Sequence, residues 1–228
     1  MNTERKFPFL KITKKAEVVI KEGHPWVYDV EITSNNSNFE NGTLVDVFSQ
    51  KGSYLGTGFY SEKSKIRVRI LSSNANEKFD ESFFERRLRY AVEYRKTVMQ
   101  KDFNCCRLIF GEADGLPGLT VDRFDKILVA QVLSFGMDKI KDMIFRLLYK
   151  ILCETGEIIN GIYERNDVAI RQLEGLEEYK GWFELEGIVH PDETVTEIIE
   201  NGIKYEVDFE NGQKTGYFLD QKYNRLEV

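Results

Sequence analysis

A helical stripe between two apolar strands constrains the fold of this chain most strongly. Apolar residues recur at intervals of three and four between Ile140 and Leu152, which predicts an amphipathic helix starting near Asp138. Strand-like segments precede the helix at 127–133 and follow it at 158–163. This order predicts a parallel crossover, because parallel strands need a long connection that is usually helical. The middle of the chain is therefore expected to form an α/β unit.

Residues 11–72 follow a different pattern. Short apolar or alternating segments, including Val18–Ile20, are separated by glycine turns, and no helical period is visible. Residues 65–71 alternate between cations and apolar side chains, so Arg67 and Arg69 are expected on a solvent face. The pattern predicts short strands that form a small β-barrel.

Local signals predict the remaining elements. Residues 73–79 have the composition of a linker, and Asp80 predicts the N-cap of a helix that runs to about Lys101. Asn201 and Gly202 between two β-rich segments predict a hairpin, because both tolerate positive φ. The helix is expected to bury one apolar stripe, and its opposite face is expected to carry Arg86, Arg87, Arg89, Arg95 and Lys96. Further predicted elements are strands at 107–110 and 119–124 and a short helix from Asp167 to about Gly175.

Composition narrows the classes of function. The net charge is −6, but residues 1–75 hold 11 Lys and Arg against 8 Asp and Glu, which permits a phosphate-binding face on an acidic protein. The alternative is chance clustering of solvated charge. The three cysteines form no C-x-x-C pair, so neither a zinc site nor a disulfide framework is expected, and a reduced, cytoplasmic compartment is predicted. No segment suggests a membrane span.

The segment Gly212–Gln221 has the most distinctive side chains. It combines an amide, an ammonium, a hydroxyl, aromatic rings and a carboxylate between glycines, and only seven residues follow it. It does not match a phosphate-binding loop, since the Gly-Lys adjacency of that motif is absent. We interpret it as the lead-in to a further domain.

Several segments in one order resemble a known family. They are Lys11, Lys14, Lys15, Lys21, Gly23–Tyr28, Gly42, Val45–Val47, Gly52, Tyr54–Gly56, Gly58–Tyr60, Ile66–Leu71, Gly111–Arg123, Glu164–Asp167, Arg171, Glu174–Leu176, Glu200–Gly202, Val207–Asp208, Gly212–Gln221 and Asn224–Arg225. This order is similar to that of the bacterial and archaeal PUA-containing class I ribosomal RNA methyltransferases, which depend on S-adenosylmethionine. The resemblance covers nearly the whole chain, and the segments 111–123 and 212–221 are its most specific parts.

The resemblance implies an α+β fold with three parts. These are an N-terminal PUA-like RNA-binding β-barrel (1–75), a central α/β domain with a mixed sheet (76–190), and a β-hairpin that leads toward an absent Rossmann-like methyltransferase domain (191–228). The whole protein is expected to bind S-adenosylmethionine and to methylate structured, ribosomal RNA, at cytosine C5 of the large subunit. This chain alone is expected to bind the cofactor weakly and to be inactive.

The resemblance also suggests site residues. Lys214, Thr215, Phe218, Gln221 and Arg225 are expected beside the cofactor and substrate pocket of the next domain, and packing at a domain interface is the alternative. RNA contacts are expected from Lys14, Lys15, Lys21, Arg67 and Arg69, and ordinary solvated charge is the alternative. No catalytic residue and no metal ligand are predicted, because Cys105, Cys106 and Cys153 do not match the position of the family's nucleophile.

Other interpretations stay open at this point. The chain could be a complete RNA-binding module or one half of a split enzyme, and the exposed lead-in segment could dock on a second copy to form a homodimer. It could also be a soluble α+β protein whose partner is another protein, which predicts no affinity for RNA. If the interpretation as an N-terminal part is right, the reading frame continues past Val228. We expect Trp26 and Phe59 to fill the core rather than stack on bases, and we expect Arg165 and Asp167 to form an internal ion pair.

Overall fold

The computed structural model describes residues 7–227. The strands are β1 (Phe9–Ile12), β2 (Trp26–Tyr28), β3 (Ile32–Asn35), β4 (Leu44–Ser49), β5 (Tyr54–Tyr60), β6 (Ile66–Ser72), β7 (Cys105–Phe110), β8 (Leu119–Phe124), β9 (Ile127–Val132), β10 (Gly161–Asn166), β11 (Tyr179–Phe183), β12 (Val195–Glu200) and β13 (Ile203–Asp208). The α-helices are α1 (Lys14–Lys21), α2 (Glu81–Met99), α3 (Phe135–Glu154), α4 (Ile170–Glu174) and α5 (Lys222–Leu226). The fold is therefore a mixture of α and β elements.

The described residues divide into two compact units. The first contains residues 7–79, Leu133–Ile140 and Ile170–Glu177. The second contains Asp80–Val132, Lys141–Ala169 and residues 178–227. Within residues 7–227, no helix is both long enough and apolar enough to cross a membrane.

The first unit is built on a curled six-stranded sheet. Its strand order is β2-β6-β5-β4-β1-β3, and all neighbouring strands are antiparallel except β1 and β4. Leu10, Val27, Val45, Val47 and Val68 are fully buried in its core. The strands with glycine turns that the sequence predicts are therefore present.

Helix α1 corrects one prediction for the first unit. Val18–Ile20 was expected to form part of a strand, but it lies in α1. The side chain of Thr13 caps the helix by accepting a hydrogen bond from the backbone N–H of Ala16 at 3.3 Å. Ala16 and Ile20 are buried, and residues four apart share a helix face. Helix α1 is only two turns long, so its apolar periodicity is too short to be recognised in the sequence.

A buried ion-pair cluster completes the first unit. Glu174, at the end of α4, accepts hydrogen bonds from Arg69 at 3.0 Å and from Ser61 at 2.8 Å. Arg171 donates to Asp138 at 3.2 Å in the same unit. Buried charges are tolerated when they are paired and hydrogen-bonded. The segment 170–177 is therefore tied to the sheet by side chains rather than by strand pairing.

The second unit contains a mixed five-stranded sheet. Its order is β11-β10-β9-β8-β7, and β9 and β10 form its parallel pair. Helix α3 connects β9 to β10, so the predicted parallel crossover is confirmed. The two-stranded antiparallel sheet of β12 and β13 turns at Asn201 and Gly202, which have φ values of 53° and 81°.

Helix α2 begins where the sequence predicts, but its cationic face differs from the prediction. Asp80 caps the helix by accepting from the backbone N–H of Phe83 at 3.1 Å, as predicted. Phe84 and Leu88 are buried, whereas Val98 is exposed. Arg95 was expected on the solvent face, but it is buried and paired with an acidic group of the neighbouring turn.

Candidate functional site

The segment Gly212–Gln221 follows β13 as a tight turn. Gly212 has no room for a side chain, because a Cβ there would meet the Asp208 carbonyl oxygen at 2.4 Å. Arg165 donates to the carbonyl oxygens of Phe209 at 2.7 Å and Gly212 at 3.0 Å. The guanidinium also pairs with Asp167 at 2.9 Å, so the predicted ion pair is confirmed. The Arg165 side chain thus fixes the entrance to the turn.

Thr215 anchors the middle of the turn to β8. Its hydroxyl donates to the Asp122 carboxylate at 2.5 Å. Asp122 is 0% exposed and accepts two further hydrogen bonds from Arg107, at 2.8 and 3.0 Å. The hydrogen bond with Asp122 raises the pKa of the Arg107 guanidinium. Because a buried carboxylate is costly without partners, these three residues act as one structural unit.

A second ion-pair cluster holds the end of the segment. Arg225, on α5, donates to both oxygens of Glu200 at 2.6 and 2.9 Å and to the Phe218 carbonyl at 2.9 Å. Its guanidinium lies 4.3 Å from the ring centroid of Tyr217. The bond with Glu200 raises the pKa of Arg225, and burial together with the hydrogen bond to Glu200 raises the pKa of the Tyr217 hydroxyl. One guanidinium thus binds both Glu200 oxygens, which is the bidentate geometry of the stronger ion pairs.

The outer side of the segment is exposed. Lys214 adopts a left-handed backbone with φ of 56°, and its ammonium lies 4.5 Å from the ring centroid of Phe218. The same ammonium pairs with Asp220 at 3.2 Å. Hydrogen bonds from Gln221 and Lys214 lower the pKa of Asp220. Left-handed conformations of non-glycine residues are costly and often occur at functional sites.

A groove of about 480 Å³ opens beside this outer side. Its apolar lining includes Met99, Cys105, Cys106, Phe110 and Leu219. The cations that line it are Arg95, Arg107, Lys214 and Lys222, and Asp220 is the carboxylate among the lining residues. Its volume lies within the roughly 300–1,000 Å³ of small-ligand sites, and its lining combines apolar surface with a few polar groups, as such sites do.

The turn Gly111–Gly118 supports one wall of the groove. Asp114 accepts two hydrogen bonds from Arg95, at 2.9 and 2.8 Å, and one from the Phe110 backbone N–H at 2.6 Å. Gly115 has φ of 68°, and its carbonyl accepts from Arg87 at 2.6 Å. These contacts support the interpretation that this turn is mainly structural.

The five residues expected beside the cofactor have three different environments. Thr215 is buried, Arg225 is half-buried in its ion pair, and Lys214, Phe218 and Gln221 are exposed. Lys214 lines the groove, and it lies next to the Phe218 ring. The predicted role of all five in binding the cofactor stays a prediction.

The five residues expected to contact RNA lie in the first unit. Lys14, Lys15 and Lys21 are exposed on α1. Arg67 is half-buried. Arg69 is only 7% exposed and pairs with Glu174, so its expected place on a solvent face is wrong. Its partner comes from a segment that strand alternation could not reveal. The RNA contacts themselves stay a prediction.

The aromatic residues agree in part with the prediction that they fill the core, and two of the cysteines are buried. Phe59 is buried, whereas Trp26 is half-buried, with the Arg69 guanidinium 5.6 Å from its ring. Burial raises the pKa of the Cys105 and Cys106 thiols to about 12. Both are therefore poor nucleophiles, since the thiolate is the reactive form.

Most residues of the groove were not predicted from the sequence, among them Arg107, Phe110 and Lys222. Their types are ordinary, and no motif marks them. One signal was available for Phe110, since an aromatic residue that directly precedes a turn rich in glycine stands at the end of a strand. The contact between Lys222 and Asp102 joins residues far apart in the sequence, so pattern alone could not find it.

Known proteins resemble this chain in sequence. Residues 10–73 match the family model described as a PUA-like domain. The chain is 37% identical over 225 residues to ribosomal RNA large subunit methyltransferase I of Klebsiella pneumoniae, covering 98% of the chain and 54% of that protein. It is 40% identical to the protein of the same name from Pseudoalteromonas atlantica, covering 89% of the chain and 49% of that protein. The chain thus spans about half the length of the curated relatives it matches.

Solved structures share the fold. A Streptococcus mutans protein provisionally assigned as a SAM-dependent methyltransferase superposes with a TM-score of 0.75 at 22% identity, covering 96% of this chain and 53% of that one. A second methyltransferase of provisional assignment, solved with SAH, gives a TM-score of 0.77 at 22% identity, covering 96% of this chain and 52% of that one. At this identity the likeness describes the fold alone.

Proposed function

We propose that this chain is the RNA-holding, N-terminal part of an S-adenosylmethionine-dependent methyltransferase that acts on large-subunit ribosomal RNA. The observation that carries the proposal is the 37% identity over 98% of the chain to a protein named for that activity. The PUA-like match over residues 10–73 supports an RNA partner independently. The structure bound to SAH supports S-adenosylmethionine as the cofactor.

The two units have different tasks in this proposal. The exposed cations Lys14, Lys15 and Lys21 of α1 contact RNA phosphates, which hold the substrate without reading its sequence. The segment Gly212–Gln221 contributes one wall of the active site, with Lys214, Phe218 and Gln221 facing outward. Thr215 and Arg225 hold that wall in place through Asp122 and Glu200.

Finer features of the proposal concern the whole protein. The methyl acceptor is cytosine C5, the reaction takes place in the cytoplasm, and the catalytic domain follows this chain. The domain boundaries are 1–75, 76–190 and 191–228, and the chain alone is inactive. For residues 1–228 alone, we also propose a homodimer that forms through the segment Gly212–Gln221.

A methyl-transfer assay tests the proposal. The protein encoded by the complete reading frame is incubated with methyl-labelled S-adenosylmethionine and unmodified large-subunit ribosomal RNA. We expect label in the RNA and 5-methylcytidine after digestion to nucleosides, with small-subunit RNA unlabelled. Residues 1–228 alone should transfer no label. RNA binding without methylation by any polypeptide that contains this chain would favour the alternative, a stand-alone RNA-binding module or half of a split enzyme.

A further inference from the structure

The groove of the second unit is lined by the rings of Phe110 and Tyr217 and by four cations. Each cation lining it lies near an aromatic ring that is between 36% and 71% exposed. The pairs are Arg95 with Tyr94 at 5.0 Å, Arg107 with Phe110 at 5.3 Å, Lys214 with Phe218 at 4.5 Å and Lys222 with Tyr223 at 5.9 Å from the ring centroid. Phe110 lines the groove itself, whereas Tyr94, Phe218 and Tyr223 lie beside its cations. Exposed rings together with cations are typical of surfaces that bind single-stranded nucleic acids.

The ion pairs of these cations indicate what the groove would recognise. Arg95, Arg107 and Lys214 are paired with Asp114, Asp122 and Asp220, respectively. Their charge is therefore largely balanced, and phosphate attraction there is weak. The exposed rings and the apolar lining residues carry no charge, so no ion pair reduces their attraction for a ligand. The groove is thus better suited to the faces of bases than to the phosphate backbone.

We propose that the groove beside Phe110 and Lys214 binds unpaired bases of the RNA substrate by stacking, as a second RNA contact besides the cations of α1. This inference rests on the proposed function, since it assumes an RNA substrate. Every base has a π-face, so the groove selects single-stranded over paired RNA and tolerates different sequences.

The rigidity of the surrounding network fits this role. The backbone beside Phe110 is fixed by the Asp114 carboxylate, and Arg165 fixes the turn that carries Lys214. Groups already held in place lose little entropy when a ligand binds. The two sides of the groove are thus set before RNA arrives.

Binding of short RNAs to residues 1–228 tests the inference. The probes are a fluorescein-labelled 12-nucleotide polyuridylate, which is unpaired, and a labelled RNA hairpin. Phe110→Ala and Phe218→Ala should each weaken polyuridylate binding about tenfold, the effect of removing one stacked base. Tyr90→Ala is the matched control, because Tyr90 is an exposed aromatic of the same unit that neither lines the groove nor belongs to the four ring–cation pairs. It should change the affinity less than twofold.

The salt dependence separates this contact from the first unit. The two phenylalanine variants should keep the salt slope of the wild type, because they remove no phosphate contact. The triple variant Lys14→Ala, Lys15→Ala, Lys21→Ala should lower the slope. Crosslinking of 4-thiouridine RNA to the peptide containing Phe110 gives a readout that does not depend on the folding of any variant.

Each failure has a different meaning. If wild-type residues 1–228 bind neither RNA, the proposed function fails and the inference with it. If the wild type binds but Phe110→Ala and Phe218→Ala behave like Tyr90→Ala and no crosslink forms at the groove, the inference fails while the proposed function stands. A crosslink in residues 1–228 that is absent in the complete protein would show that the protein's own remaining chain occupies the groove, which also overturns the inference.

Discussion

The two most distinctive segments of this chain, 111–123 and 212–221, have opposite environments in one unit. In the first, Asp114 and Asp122 are buried or nearly so, and each is paired with an arginine. In the second, most side chains are exposed, and Thr215 is the buried exception. Both segments carry the resemblance noted in the sequence, yet one is held by buried ion pairs and the other exposes most of its side chains. A distinctive sequence therefore does not by itself locate a site.

The largest expected effect is a loss of stability caused by a substitution in the segment 111–123. Asp122→Asn removes the charge that two hydrogen bonds from Arg107 and one from Thr215 converge on. We expect it to lower the free energy of unfolding by about 3 kcal/mol, because breaking a buried ion pair leaves a partner uncompensated. The value lies at the low end of the usual range since Arg107 is 36% exposed and stays partly hydrated.

Urea unfolding of residues 1–228 measures this effect. The control is Asp220→Asn in the second segment, where the carboxylate is exposed, and its unfolding midpoint should equal that of the wild type. Equal unfolding midpoints for Asp122→Asn and Asp220→Asn would contradict the proposed difference between the segments 111–123 and 212–221.

The sequence predicts these regions unequally for physical reasons. The crossover around α3 is predictable because its apolar period extends over several turns. Helix α1 is not, since two turns give too little period. The burial of Arg69 depends on Glu174, 105 residues away, and a local alternation cannot reveal such a partner. In the site, Lys214 and Phe218 stand out by composition, whereas Arg107 and Phe110 join them through tertiary contacts alone.

The second largest expected effect is a loss of stability at Thr215, the buried residue of the segment 212–221. Thr215→Val keeps the shape of the side chain but removes the hydroxyl that donates to Asp122. We expect a loss of about 1–2 kcal/mol in the free energy of unfolding, since a buried acceptor loses one of its partners. Thr97→Val is a matched control, because that hydroxyl is exposed on α2. A Thr215→Val variant as stable as the wild type would mean that the turn is not anchored through Asp122.

The variant Lys214→Met tests whether the exposed segment 212–221 contributes to function rather than to stability. The ammonium is exposed and paired with the exposed Asp220, so the free energy of unfolding should change by less than about 0.5 kcal/mol. Methyl transfer by the complete protein should fall severalfold, because the proposed contact of this cation with the substrate is lost. Unchanged transfer in a folded variant would show that Lys214 is part of the surface only.

The smallest effect at neutral pH concerns the thiols. The pKa of Cys105 and of Cys106 is raised from 9.0 to about 12 by burial, so both thiols stay protonated in the folded chain. The unfolded chain ionises first, so the thiols' contribution to stability is fully present below pH 9 and is lost as the pH rises toward 12. At pH 8 a thiol reagent should modify the exposed Cys153 quickly and the other two only after unfolding. Fast modification of all three would contradict the burial of β7.

The most direct test of RNA holding by this chain is the affinity of residues 1–228 for a structured fragment of large-subunit ribosomal RNA, measured across a series of salt concentrations. Binding should weaken with salt along a straight line in logarithmic coordinates, with a slope of about −0.7 to −0.9 for each phosphate contacted. The absence of binding at low salt, or an affinity that salt leaves unchanged, would contradict the claim that this chain holds RNA through its exposed cations.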